Sequence, residues 1–455
     1  GSTLAGADTI TDFTDGSDFL GLSGSLAYTD LTIAQGTGGN SSDTIISVGS
    51  EYLAILTGIT ASNVNYFDFA SMATGNQTLS GTSGDDVIIG AAGVDTVTTN
   101  TGTDVVLTHG GNDGITVNGT GNKTIDGGAG TDSLTVSVSG NTSLGSYAIT
   151  RNGDYYILTD AGSNAIQYKN IETLTIGSYT YTEDTSNDNF WNATEKVLYL
   201  YDGGGWSNDK VDGLSGFSAS DNLGIVGSSG NDYINFFVNR STEFSGNLTA
   251  TFGDGNDNIG SGLFKNGDSV DMGAGDDGVS FVNHNSTYQG APALSALNMA
   301  KLDGGAGVDS LSFTYNEAAI ELNLSVGGAT NFENITGSGA GEVVRGDTGA
   351  NQLSGNDGAD TIYGGSGNDF LGGQHVNAGE TDSQHQARAN NTSATDNDTL
   401  YGQAGNDVLV GSYGDDTLDG GTGSDKIFTG GGSDTIVLRV GDGGSTLAAA
   451  DTITD

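Results

Sequence analysis

Residues 393–437 read SATDNDTLY, GQAGNDVLV, GSYGDDTLD, GGTGSDKIF, TGGGSDTIV, five nine-residue units in direct succession. Glycines come early in all but the first, an Asp stands sixth in every unit, and a large apolar residue stands eighth. Repetition at a fixed short period is the signature of a solenoid. Three residues, x-apolar-x, make a short strand whose middle side chain faces inward. The six glycine-rich residues turn the chain through conformations that residues with a Cβ disfavour. Two units complete one coil and stack each strand on the strand two units earlier. The expected result is two parallel sheets facing each other across a core of Ile, Leu and Val too thin to hold the coil by itself.

The same pattern extends outward. Upstream, residues 346–372 read GDTGANQLS, GNDGADTIY, GGSGNDFLG, and an interruption at 373–392 separates them from the first five. A second block begins at Gly81 with GTSGDDVII, GAAGVDTVT, TNTGTDVVL, THGGNDGIT, and continues after one extra residue as NGTGNKTID and GGAGTDSLT. A scattered third set comprises GSSGNDYIN at 227, FGDGNDNIG at 252, MGAGDDGVS at 272 and GGAGVDSLS at 304. Between the blocks, residues 147–181 alternate apolar and polar with turn residues at Asn152-Gly153 and Ala161-Gly162, which are hairpin signals. Residues 1–70 also look strand-rich, and only 291–301 (APALSALNMAK) reads as helical. The expected divisions are a β-rich segment at 1–76, a first roll block at 77–136, a hairpin-rich segment at 137–226, a degenerate roll segment at 227–336, the main roll at 337–440, and the start of a next tandem unit at 441–455.

Composition narrows the function. The 455 residues include 78 glycines, one proline, no cysteine, and 57 acids against 12 bases, for a net charge of −45. Glycine richness with high charge points towards disorder, but 35% of the residues are hydrophobic and recur at fixed intervals. No basic stripe meets nucleic-acid phosphates, and no apolar run is long enough to span a bilayer. No charged-then-apolar start marks a secretory leader. The electrostatic partner this charge fits is a cation. Of the acids, 47 are Asp and 10 are Glu, and Asp is the acid of turns and metal loops.

Stacked turns bring sixth-position carboxylates of successive coils together among backbone carbonyls. Oxygen-only ligands in a flexible loop suit Ca²⁺, whereas Zn²⁺ would want Cys or His. Without the ion, like charges repel and the coil opens, so binding and folding form one equilibrium. The candidate ligands are Asp360, Asp369, Asp398, Asp407, Asp416, Asp425 and Asp434 in the main roll, and Asp86, Asp95, Asp104 and Asp132 in the first block. Asp232, Asp257, Asp277 and Asp309 complete the set from the scattered units. A β-helix whose Asp side chains merely cap turns through hydrogen bonds is the alternative.

The nonapeptide GGxGxDxUx, matched by GGSGNDFLG and GGTGSDKIF, resembles the RTX repeats of secreted calcium-binding proteins. The run 331–365 looks like the lead-in to such blocks, and DTITDFTDGSDFLGLSG (8–24) looks like the segment that follows them. The resemblance implies a right-handed parallel β-roll with calcium in the turns, type I secretion, and folding outside the cell. Its ligands carry over to Asp86, Asp95, Asp104, Asp360, Asp369, Asp398, Asp407, Asp416, Asp425 and Asp434. Departures are Lys123 and Asn351 at sixth positions and the interruption at 373–392; the family's C-terminal secretion signal is expected on a part of the chain beyond this sequence.

RTX blocks accompany enzymes, toxins, adhesins and surface-layer proteins, so the repeat by itself does not give a function. No HExxH, GxSxG or GxxxxGK[ST] occurs. The histidines, His109, His284, His375 and His385, are far apart. His375 and His385 share the interrupting stretch with Arg388, which reads as a solvated loop, with a transition metal as the alternative. The aromatics of 181–206 read as strand core, with a glycan or partner surface as the alternative. Finally, residues 444–455 (GSTLAAADTITD) repeat residues 1–12 (GSTLAGADTITD) at eleven of twelve positions, which reads as one unit of a tandem array or fibre, with a local flanking motif used twice as the alternative. The expectation is an all-β, non-enzymatic, extracellular or bacterial cell-surface protein that is repeated in tandem or assembles with its own copies as a fibre, surface layer or adhesin. Cell-surface glycans are a further expected partner. The competing expectation is the calcium-binding accessory region of a type I-secreted enzyme or toxin.

Overall fold

The computed structural model describes residues 3–15, 17–24, 26–73, 75–184, 189–200, 205–207, 216–218, 220–235, 246–262, 267–282, 299–315, 321–324, 328–375, 381–389, 396–442 and 450–454. The described residues are almost entirely β, in two compact units, Gly1–Glu183 and Asp184–Asp455.

The first unit opens on a small sheet in the order Asp8–Ile10, Glu51–Leu56, Thr44–Val48, Thr32–Gln35. Its core gathers Phe13, Leu22, Ile46, Leu56, Val64 and Phe69. A β-roll follows. One face stacks Val87–Ile89, Asp104–Leu107 and Lys123–Asp126 in parallel, and the other stacks Thr78–Ser80, Thr96–Thr98, Gly114–Val117 and Ser133–Val136. Inward positions are the eighth-position residues, with Val97, Val106, Ile115, Ile125 and Leu134 each at most 1% exposed. The hairpins expected over 147–181 are present, Tyr147–Asn152 antiparallel to Tyr155–Asp160 and this strand antiparallel to Ala165–Lys169. They extend the roll, because Ala165–Lys169 pairs in parallel with Lys123–Asp126, and Thr173–Ile176 with Ser133–Val136.

The second unit is one long roll. Eleven parallel strands form one face, from Gly205–Ser207 through Tyr233–Asn235, Asn258–Gly262, Gly278–Val282, Ser310–Tyr315 and Asn334–Thr336 to Lys426–Gly431 and Thr452–Thr454. The ladder crosses position 336 without a break, pairing Asn334 with Gln352. One apolar cluster runs from Trp191 through Leu311, Leu353 and Leu409 to Ile427. The spacing between paired strands is 18 residues where the nonapeptide is strict, as in Leu400↔Leu418 and Leu409↔Ile427.

The interruption leaves this register intact. Ile362 pairs with Leu400 and Leu371 with Leu409, a spacing of 38 residues, which is one coil of 18 plus the 20 residues of 373–392. Part of that insertion departs from the expected solvated loop: Asp382–Ala389 form an α-helix. The helix covers an apolar patch of Phe370, Val410 and Phe428 on the outer side of the sheet, so burial of that patch accounts for its order. His385, 4% exposed, packs its ring 4.7 Å from Phe370 and 5.6 Å from Phe428. Of the helix expected at 291–301, residues 291–298 lie outside the described residues and Met299–Lys301 form one 3₁₀ turn. His284 also lies outside them. Among the expected core aromatics, Tyr181, Phe190, Trp191 and Tyr199 are buried.

Candidate metal centres

The repeat places each sixth residue just ahead of its strand, so stacking the strands also stacks these residues in columns. One column of the second unit runs Glu342, Asp360, Asp398, Asp416, Asp434, and its neighbour runs Asn351, Asp369, Asp407, Asp425, Asp451. A third runs Asp232, Asp257, Asp277, Asp309, Glu333. In the first unit the columns are Asp86, Asp104, and Asp95, Asp113, Asp132, Glu172. Each member's Oδ1 (Oε2 in the two terminal glutamates) accepts the backbone N–H of the preceding member, at 2.8 Å for the N–H of Asp360 to Asp398 and of Asp407 to Asp425. This is the capping geometry that the alternative reading required, and it uses one of the two carboxylate oxygens.

The second oxygen decides the chemistry. Oδ2 of Asp113, Asp132, Asp257, Asp277, Asp309, Asp360, Asp369, Asp398, Asp407, Asp416 and Asp425 is buried without a hydrogen-bond partner. Burying an anionic oxygen without compensation is costly. Burial pushes Asp360 up to about 9, and Asp257, Asp309, Asp398 and Asp407 up to about 7, against the pull of the single N–H each accepts. Neighbouring carboxylates add to the rise: Asp398 faces Asp416, and Asp407 faces Asp369 and Asp425. A buried column of this kind needs protons or cations. Hard oxygen donors, one carboxylate per turn among backbone carbonyls, fit Ca²⁺.

The entry coils differ. Asp86 Oδ2 accepts the backbone N–H of Thr82 at 2.6 Å, Asp95 Oδ2 that of Ala91 at 2.7 Å, and Asp232 Oδ2 that of Ser228 at 2.7 Å. Asp86 and Asp232 thus cap their own turns with both oxygens, and Asp95 uses its Oδ1 to accept the N–H of Gln77, one coil earlier, at 2.8 Å. Asp434 closes its column at the other end. Asp113 was legible as the sixth residue of THGGNDGIT. Glu342 was likewise legible as the sixth residue of GSGAGEVVR (337–345), 18 residues before Asp360, whereas Glu172, Glu333 and Asp451 join the columns through pairings of irregular spacing that no local pattern announces. Among the described residues no three His, Asp or Glu side chains gather at one point, so a site here draws on main-chain oxygens.

One coil shows where those oxygens converge. The side chain of Lys123 is fully buried, with Nζ 3.2 Å from Asp104 Oδ2. The same ammonium donates to the carbonyls of Gly102 at 2.5 Å, Thr120 at 3.2 Å and Gly121 at 3.3 Å. Gly102 and Gly121 are the fourth residues of successive coils, so the turn carbonyls of two coils and an Asp carboxylate surround one cation.

A second ladder reinforces the turns. The fifth residue, Asn or Asp, uses Oδ1 to accept the N–H of the fifth residue one coil later, as from Asn406 to Asn368 at 2.9 Å and from Ser424 to Asn406 at 2.8 Å. At the fourth residue, Gly423 has φ of +144°, and a Cβ there would collide with the carbonyl of Gly405. Glycine is required by both the backbone angle and the approach of the stacked turn.

The family model for RTX calcium-binding nonapeptide repeats (four copies) matches residues 73–115, 336–371, 394–412, 401–436 and 410–443. The chain therefore carries RTX repeats, which bind calcium, and the matched residues include the unpartnered Asp113, Asp360, Asp369, Asp398, Asp407, Asp416 and Asp425. Among solved structures it is similar to the crystal structure of extracellular lipase LipA from Serratia marcescens, at 15% identity and a TM-score of 0.13. That match covers 73% of this chain and 38% of the lipase chain. No curated protein matches.

Proposed function

We propose that this chain is a calcium-stabilised structural protein acting outside the cell, exported by type I secretion, and forming a fibre, surface layer or adhesin with copies of itself. The observation that carries this reading is the duplicated segment: residues 451–454 (DTIT) repeat residues 8–11 and serve as a strand of the roll in one place and of the N-terminal sheet in the other. Several Ca²⁺ ions are bound, one at each inner turn whose Oδ2 lacks a partner, and they act structurally by closing turns and cancelling repulsion along the columns. RTX repeat proteins are typically secreted, and no helix among the described residues is long and apolar enough to cross a membrane. The chain has no catalytic role in this reading.

Purified protein at millimolar Ca²⁺ should form filaments or sheets with a regular axial repeat in electron micrographs, and chelator should dissolve them. Isolated particles at high protein concentration in Ca²⁺ would count against the proposal.

A further inference from the structure

The two copies of the duplicated segment pair through opposite edges. In the roll, Lys426↔Thr452, Ile427↔Ile453 and Phe428↔Thr454 are parallel partners, and the N–H of Thr452 donates to the carbonyl of Asp425 at 2.7 Å. Thr452 thus turns its peptide groups towards the roll, and Ile453, the next residue of the pleat, turns its own away from it. In the N-terminal sheet, Asp8↔Ala54, Thr9↔Ile55 and Ile10↔Leu56 are parallel partners, and the N–H of Thr57 donates to the carbonyl of Ile10 at 2.9 Å. Ile10 corresponds to Ile453. The residue facing the roll and the residue facing strand Glu51–Leu56 are therefore successive, and one strand can make both ladders at once.

Resting on the tandem reading above, we propose that this segment is a shared strand between copies: one edge closes the roll of one copy, and the other takes the place of Asp8–Ile10 beside strand Glu51–Leu56 of a second copy, whose own Asp8–Ile10 is displaced. The apolar column agrees. Leu371, Leu409 and Ile427 are stacked and at most 1% exposed, and Ile453 continues their line at 44% exposed. Its counterpart Ile10 packs against the cluster that holds Leu56, which is 0% exposed. In the junction, Leu56 of the second copy covers Ile453 and the two cores become continuous. The union is head-to-tail, so it propagates as a filament and does not close on a two-fold axis.

The test compares the parent with I453P in Ca²⁺ by analytical ultracentrifugation and circular dichroism. Proline removes the outward N–H and leaves the Thr452 bond in place. The expected result is a parent that sediments as polymer and an I453P variant that stays monomeric with an unchanged melting temperature. If both polymerise alike, the shared strand is wrong while the structural reading stands. If the parent is monomeric, both fall. Should I453P fail to fold, I453D decides, because it keeps the N–H but places a charge in the apolar column, and undiminished polymerisation would overturn the junction.

A different observation carries a second inference. Asp104 ends its column, because the sixth residue of the next coil is Lys123, and its buried Oδ2 meets the ammonium of that lysine, held by three turn carbonyls. The structure assigns Lys123 as a built-in cation that takes the place of a metal at this coil. The first roll then has one turn closed at any calcium concentration. Calorimetric titration of K123D should find one more Ca²⁺ per chain than the parent, and an equal number would overturn the assignment. Should K123D not fold in Ca²⁺, K123M decides: its melting temperature in chelator should fall below the parent's, and an unchanged value would overturn the assignment.

Discussion

At each inner coil the sixth-position Asp divides its oxygens between two tasks, Oδ1 binding the coil before it and Oδ2 left for a cation. Replacing Asp407 and Asp425 by Ala should therefore lower the melting temperature in Ca²⁺ by about 5 °C or more, as read by differential scanning calorimetry, with a smaller change in chelator. Asp86→Ala is the contrast, since both its oxygens already bond Thr82 or the turn, and its loss should be equal with and without calcium. The first-position glycines are constrained by the same carboxylates. A methyl on Gly364 would lie 2.5 Å from Asp369 Oδ2 and 2.7 Å from the carbonyl of Gly402. Gly364→Ala should thus weaken calcium binding several-fold in a titration, and unaltered affinity would show that the turn has room to relax.

At the scale of elements, the roll tolerates insertions that leave the coil and return at the same point. The 38-residue spacing across the interruption predicts that deleting residues 374–393 joins Gly373 to Ala394 in register, as the nonapeptide GATDNDTLY. The shortened protein should keep its calcium-dependent β signal in circular dichroism. It should also bind more of a hydrophobic dye, because Phe370, Val410 and Phe428 lose the covering helix. A loss of the β signal would mean that the helix is needed for the coil to close. The sequence of 373–392 has no apolar periodicity to advertise that helix. It forms because the outer sheet face beneath it is apolar, a property of strands distant in sequence. Lys426, whose Nζ lies 2.9 Å from Asp382, ties the same two elements together.

For the whole molecule, part of the net charge of −45 is carried inward, in buried columns that need neutralising. Because burial raises these carboxylates in the folded state, the metal-free fold binds more protons than the unfolded chain. Its stability therefore falls as pH rises from the ordinary carboxylate range through about 6 for Asp369 and Asp416, about 7 for Asp398 and Asp407, and about 9 for Asp360. In chelator, the β signal should be stronger at pH 5 than at pH 8. With calcium the dependence reverses, since the ion must displace those protons and binds more weakly as pH falls. Equal spectra in chelator at the two pH values would remove protonation as the substitute for the metal.

The sequence by itself determined the coil, because a period of nine fixes which side chain points inward and where glycine must turn the chain. Val97, Leu409 and Ile427 could be placed in the core, and Asp360, Asp398 and Asp407 in one kind of turn, from their positions alone. Even Asp113 was readable from its motif. Tertiary structure decided what happens between coils. Stacking made Glu172, Glu333 and Asp451 part of the columns, separated the self-capped Asp86, Asp95 and Asp232 from the carboxylates left bare, and brought the ammonium of Lys123 to the carbonyls of two turns. The reason is physical: a repeat encodes the conformation of one turn locally, whereas the partner of each oxygen is set by the coil above or below, at a distance along the chain that insertions change and the sequence pattern does not record.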